Sequence, residues 1–274
     1  MKKESLISTE IERFYSNVSD ENRYTKGLGP LELERNKELI LRHIKSTNSI
    51  IVDVGGGTGV YSEWLAQLGH RVHLTDPVAK HIYKAKARSS NSKQKFNCTL
   101  GEARSLEFPD NFADMVILHG PLYHLQSRNE RLKAITEAKR VCKKNGVVIG
   151  IAINYFSYTL AGLLNGMIHD PTFYEMCKKQ LTSGIHNPPK NNSQLFLPEA
   201  YFHRPDELLN EFNEACMVDL SIYAVEGFSW LDKNFFQTRE DPVKKKAILS
   251  LLKLMEQDSA LLSFSPHMMI VGKK

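Results

Sequence analysis

The stretch Asp53-Val54-Gly55-Gly56-Gly57-Thr58-Gly59 concentrates more chemistry than any other part of the 274-residue chain. It follows a β-branched run and opens a helical pattern. Glycines there permit a tight turn and let backbone amides come close to a ligand. The helix N-terminus adds partial positive charge beside an anionic group such as a carboxylate. The spacing is selective. A Gly-x-Gly-x-x-Gly dinucleotide fingerprint started at Gly55 puts Val60 where its third glycine should stand, and one started at Gly57 puts Ser62 there. Asp-x-Gly-x-Gly-x-Gly fits without a gap through Asp53, Gly55, Gly57 and Gly59. Asp76 lies 21 residues after Gly55, at the end of the next strand-like run. A carboxylate there can accept from both hydroxyls of a ribose, and with Pro77 after it, it can also serve as a helix N-cap.

The elements that position these residues read clearly in the middle of the chain. Ser49–Val54 is a short apolar strand, and Thr58–Leu68 is a helix stopped by Gly69. Strands follow at Arg71–Thr75, Phe96–Leu100, Ala113–Leu118 and Val147–Ile153. Helices run through Arg88 and over Arg128–Lys143, the latter closed by Asn145-Gly146. Strand and helix alternate with short connections, which predicts βαβ units and a parallel sheet covered on both faces. Residues 1–48 read as an N-terminal helical cover with a stripe of Leu31, Leu33, Leu39, Ile40, Leu41 and Ile44, broken over Phe14–Pro30. Residues 49–153 form the core. Residues 154–204 break the alternation and read as an inserted lid: a helical stretch, Tyr155–Ile168, then a loop with His186-Asn187-Pro188-Pro189 and Asn191-Asn192. Residues 205–274 return to the sheet through a helix at Asp206–Ala215, strands at Met217–Val225 and Met268–Val271, and a helix between them from Pro242 to Leu262.

The glycine pattern with Asp53 resembles motif I of the class I S-adenosylmethionine-dependent methyltransferases. The run His119-Gly120-Pro121-Leu122-Tyr123-His124-Leu125 is similar to one found in bacterial small-molecule members. Glu137–Gly146 resembles the segment before their fifth strand, with Cys142, Lys144 and Asn145 in place of the usual Leu, Pro and Gly. The resemblance covers residues 49–153. It implies a Rossmann-like, doubly wound, seven-stranded, mostly parallel sheet whose last two strands are spatially reversed and whose last strand is antiparallel. It implies S-adenosylmethionine as cofactor and S-adenosylhomocysteine as product. Asp53, Gly55, Gly57, Gly59, Asp76, Pro77, His119 and Gly120 would line the cofactor site, with Glu102 on the adenine amino group and the Ala103 amide on a ring nitrogen.

Methyl transfer from a sulfonium is an in-line displacement. Proximity and alignment alone can contribute about 7–11 kcal/mol. A general base adds perhaps ~10²–10⁴-fold, and only for a nucleophile with a proton to lose. Tyr123 and His124 follow the fourth strand at the sheet's ligand-binding edge and are the candidate catalytic residues. The aromatic faces of Tyr15 and Tyr24 can stabilise a sulfonium. His186 and His203 read as solvated loop histidines. No group has metal-ligand spacing.

Charge and composition narrow the class. Lys+Arg 36 against Asp+Glu 31 leaves +5, with 42% hydrophobic residues, as in ordinary globular proteins. No basic stripe carries stacking aromatics, so nucleic acid is not expected as a partner. The longest apolar run, Val147–Ile153, is too short to span a bilayer. The N-terminus has no signal-peptide pattern, and the four cysteines form no Cys-x-x-Cys pair. The expectation is a cytoplasmic monomer or homodimer acting on a small-molecule acceptor. Two rivals remain: a non-catalytic S-adenosylmethionine sensor or partner subunit, and a nicotinamide-dependent oxidoreductase.

Overall fold

The computed structural model describes residues 7–17, 23–189, 196–238 and 240–274. Met1–Glu4 and Asn191-Asn192 lie outside them. Two helices come first, α1 (Thr9–Asn17) and α2 (Gly29–His43). The core follows as β1 (Ile50–Val54), α3 (Val60–Gln67), β2 (Arg71–Asp76), α4 (Ala79–Asn91), β3 (Asn97–Leu100), β4 (Ala113–Leu118), α5 (Pro121–His124), α6 (Arg128–Val141) and β5 (Cys142–Ile153). After it come α7 (Ser157–Asn165), α8 (Pro171–Ser183), β6 (Ile185–His186), β7 (Ala200–Tyr201), α9 (Pro205–Glu214), β8 (Val218–Ala224), α10 (Phe235–Thr238), α11 (Pro242–Met255) and β9 (His267–Lys273).

Seven strands form one sheet in the order β3-β2-β1-β4-β5-β9-β8. The first five pair in parallel, and β9 runs antiparallel to both β5 and β8. This is the doubly wound sheet expected, with its last two strands reversed in space. Alternation along the strands divides the core into two layers. Ile51, Met115, Ile117 and Ile149 pack with Leu39 and Ile40 of α2 and Leu65 of α3. Val52, Val116 and Val148 face Ile135 of α6 and Phe212 of α9.

Three boundaries differ from the sequence reading. Helix α6 stops at Val141 because Cys142 is already extended, and Asn145 at φ 63° lies inside β5, where the pairing with β4 shifts register. Helix α11 ends at Met255 rather than Leu262. The insertion is not only helix and loop: Ile185–His186 pairs with Ala200–Tyr201 as a second small sheet.

His186 and His203 are fully buried, contrary to the solvated loop expected. The His186 ring stacks on Phe202 with centroids 5.0 Å apart. Burial pushes His186 down to about 4 and His124 to about 3, the latter helped by Arg23 and His81. A histidine depressed on folding contributes stability that is complete above its unfolded pKa, near 6.5, and is lost as pH falls toward the folded value. Unfolding free energy is therefore expected to drop between about pH 6.5 and 4, by up to ~1.4 kcal/mol per pH unit for each such histidine. Urea denaturation across that range checks this, and a flat profile would contradict it.

Candidate active site

The tips of β1, β2 and β4 open into one cleft of about 950 Å³, its mouth included. Ligands in open α/β sheets bind at this edge, where the order turns about β1. The glycine loop forms its floor. Gly55 has φ +73°, and a side chain there would press within 3.0 Å of Pro121 and 3.1 Å of the Gly120 nitrogen. Asp76 braces the loop: Oδ2 accepts from the Gly57 amide at 3.0 Å and Oδ1 from the Val78 amide at 2.9 Å. Oδ1 also lies 3.0 Å from Nδ1 of His81. Pro77, Val78 and Ala103 add apolar lining to the cleft. Glu102 is aimed by Arg104, whose backbone and side-chain nitrogens both donate to Oε2 at 2.8 Å.

Two residues expected at the cofactor stand behind the wall instead. Asp53 is fully buried between His119 and Ser62, with both contacts at 2.6 Å. It orients the wall and does not line the cleft. Gly59 faces the helix layer, where a Cβ would meet the Phe96 ring at 2.9 Å. Its absent side chain serves packing of α3. The other sequence candidates, Tyr15, Tyr24, Gly55, Gly57, Asp76, Pro77, Glu102, Ala103, His119, Gly120, Tyr123 and His124, all line the cleft.

Part of the cleft's lining is aromatic. Tyr24 meets Tyr61 edge to face at 5.8 Å, and Tyr123 is nearby in the same lining. Arg23 and Glu32 form an ion pair there. Burial works against the charged form of Glu32, but Arg23 outweighs it and holds the carboxyl below its usual range. Burial pushes the Tyr61 phenol well up, so it stays neutral. The phenol of Tyr15 lies 2.7 Å from Nε2 of His124, and its ring packs edge-on against His81 at 4.9 Å. Tyr15 thereby ties α1 to His124 and His81. At about 3, His124 is neutral at working pH and serves as a hydrogen-bond partner.

Glu32, Asn36, Tyr61 and His81 were missed in the sequence. The first two carried a signal: Glu32, Arg35 and Asn36 interrupt the helical stripe that continues through Leu39 and Ile40. Polar residues on a buried face need partners. Here they are Arg23 for Glu32, Glu256 for Arg35 and Tyr61 for Asn36.

The cleft fits an adenosine-bearing ligand. The Asp76 carboxylate lines it, and Oδ2, which accepts only from the Gly57 amide, keeps acceptor capacity, whereas Oδ1 already faces two donors. His81 Nε2 is buried there without a partner among the described residues.

Comparisons with known proteins agree with this geometry. Residues 52–150 match the family described as methyltransferase domain. The chain is 28% identical over 153 residues to a chloroplastic 2-methyl-6-phytyl-1,4-hydroquinone methyltransferase of Spinacia oleracea, covering 54% of this chain and 40% of that protein. It is 27% identical over 123 residues to the ubiquinone/menaquinone biosynthesis C-methyltransferase UbiE of Neisseria meningitidis, covering 44% and 49%. The chain thus spans less than half the length of these curated relatives. A methyltransferase structure from Methanosarcina mazei superposes with a TM-score of 0.58 at 17% identity, over 86% of this chain and 96% of that one. Phosphoethanolamine N-methyltransferase 2 of Haemonchus contortus, solved with S-adenosylmethionine, gives 0.53 at 16%, over 88% and 52%. These two share the fold. Residues 52–150 are a methyltransferase domain, and its strand order and glycine loop are those of the class I fold. The whole chain shares its fold with S-adenosylmethionine-dependent methyltransferases of solved structure.

Proposed function

We propose that this protein transfers a methyl group from S-adenosylmethionine to a small acceptor, releasing S-adenosylhomocysteine. The observation that carries the reading is a cleft whose lining combines Asp76, Glu102 and Ala103 with Tyr24, Tyr61 and Tyr123. Asp76 would hold the ribose and Glu102 the adenine. Gly55–Gly57 would make room for the methionyl part. The bound cofactor supplies a methyl carbon on a positively charged sulfur, which is already a good leaving group.

The chain's own task is to align the acceptor and exclude water. Tyr15 and His124 would do the second, closing α1 over the cleft through their 2.7 Å contact. Removing that hydroxyl in Tyr15→Phe is expected to speed dissociation of S-adenosylhomocysteine by about fivefold, the worth of one neutral hydrogen bond. Stopped-flow displacement reads this, and an unchanged rate removes the latch role. Tyr123 would wall the acceptor.

The two curated relatives are named for hydroquinone and ubiquinone/menaquinone chemistry, which supports an aromatic acceptor. A cytoplasmic setting belongs to the same reading. It is supported by four cysteines that form no disulfide and by the absence, among the described residues, of any helix long and apolar enough to cross a membrane.

Methyl-labelled S-adenosylmethionine incubated with hydroquinones, phenols, amines and thiols tests the proposal. Label transfer to at least one class is expected. Binding without transfer to any of them, or to a metabolite extract, would instead favour a sensor.

A further inference from the structure

His119 follows β4, its amide donating to the Val54 carbonyl at the tip of β1 at 2.9 Å, and its geometry is that of an oriented base. Oδ1 of the fully buried Asp53 lies 2.6 Å from its Nδ1, and Oδ2 of the same carboxylate is fixed by the Ser62 hydroxyl at 2.6 Å. A carboxylate can only accept, so the hydrogen sits on Nδ1 and Nε2 carries a bare lone pair. Nε2 is buried and has no partner among the described residues. The imidazole stacks on Tyr61, with centroids 4.3 Å apart and planes at 25°, and Asn36 donates to the Tyr61 phenol at 3.1 Å. The ring is therefore held from its edge and from its face. His124 cannot fill the same role, since its Nε2 is engaged by Tyr15 and its affinity for a proton is low.

The surroundings describe what such a base would face. Tyr24, Tyr61, Tyr123 and Ile151 line the same cleft with aromatic and apolar surface. Arg23 and Glu32 line it too as an ion pair, so together they bring no net charge to the cleft.

We propose that His119 accepts the proton of the methyl acceptor, with Asp53 as its positioning residue, and that the acceptor is a neutral aromatic compound bearing a hydroxyl group. This rests on the methyl-transfer reading of the cleft. The acceptor's O–H bond breaks and its proton passes to Nε2. An oxygen electron pair forms the new bond to the methyl carbon as the carbon–sulfur bond breaks, its pair staying on sulfur. The imidazolium so formed lies against the Asp53 carboxylate.

The test uses para-nitrophenol, whose absorbance reports its ionisation, with protein saturated in S-adenosylhomocysteine and held near about pH 6, below the dye's own ionisation. The ionised fraction of bound dye is expected to exceed that of free dye by roughly threefold or more. His119→Gln should return it to the free-dye value. Asp53→Asn should do the same while still binding dye, because an amide can donate to Nδ1 and move the hydrogen to Nε2. Added imidazole should restore the ionised signal in His119→Gly. A bound-dye spectrum identical in wild type and His119→Gln overturns the proposal, as does failure of the saturated protein to bind dye. Failure to bind S-adenosylhomocysteine at all overturns the methyl-transfer reading beneath it.

Discussion

Asp76→Ala is expected to weaken S-adenosylhomocysteine binding by about a hundredfold. A hydrogen bond from a ribose hydroxyl to the charged Oδ2 is worth about 1.5–3 kcal/mol, and 1.4 kcal/mol is a factor of ten. The loss extends beyond the ligand contact. The Gly57 and Val78 amides lose their acceptor, so the glycine loop and the start of α4 are no longer braced against each other. Asp76→Asn turns its NH2 against one of these two backbone donors and is expected to lose at least about tenfold. Isothermal calorimetry on both variants gives the comparison. An alanine variant that folds and binds as tightly as wild type sinks the ribose assignment.

Arg131→Ala is expected to destabilise the fold by about 3–5 kcal/mol, lowering the melting temperature by roughly 6–20 °C. Arg131 is buried against Glu211, with Nη2 to Oε1 at 2.7 Å, and its guanidinium sits 3.7 Å from the Tyr201 ring centroid. Nη1 donates to the carbonyls of Leu125 at 3.0 Å and Gln126 at 2.8 Å. Glu211 in turn meets His203 at 3.3 Å. One side chain thus joins α6, α9, the inserted β7 and the turn that follows His124. Removing it strands a buried carboxylate. Arg131→Met with Glu211→Leu strands none, and should recover more than half of the loss. Thermal melts of the three proteins decide it. A single variant within about 1 kcal/mol of wild type contradicts the account.

The parallel core was legible because its signals are local. Ile50–Val54 and Ala113–Leu118 are apolar runs ended by glycine or by the residue just before it, and such punctuation survives in any tertiary context. The glycine loop and Asp76 could be placed for the same reason. What the sequence could not resolve is which way a side chain faces once layers pack. Asp53 and Gly59 have the right spacing for the ligand but face His119 and Phe96. The insertion failed differently. Two-residue strands such as Ile185–His186 are too short for alternation to register. His186 and His203 are buried against Phe202, Gln180 and Glu211, which meet them only once α8, α9 and the two short strands fold back on one another. The polar stripe of Glu32, Arg35 and Asn36 was readable in principle, since three polar residues in register with Leu39 and Ile40 must find partners under the sheet's edge.

The central claim is that the cleft over β1, β2 and β4 is an S-adenosylmethionine site. Calorimetric titration of the folded protein with S-adenosylmethionine, S-adenosylhomocysteine and NADH tests it most directly. Micromolar binding of the first two, with no heat from NADH, is the predicted result. Binding of neither sulfur compound by protein shown to be folded, or tighter binding of NADH, would contradict it.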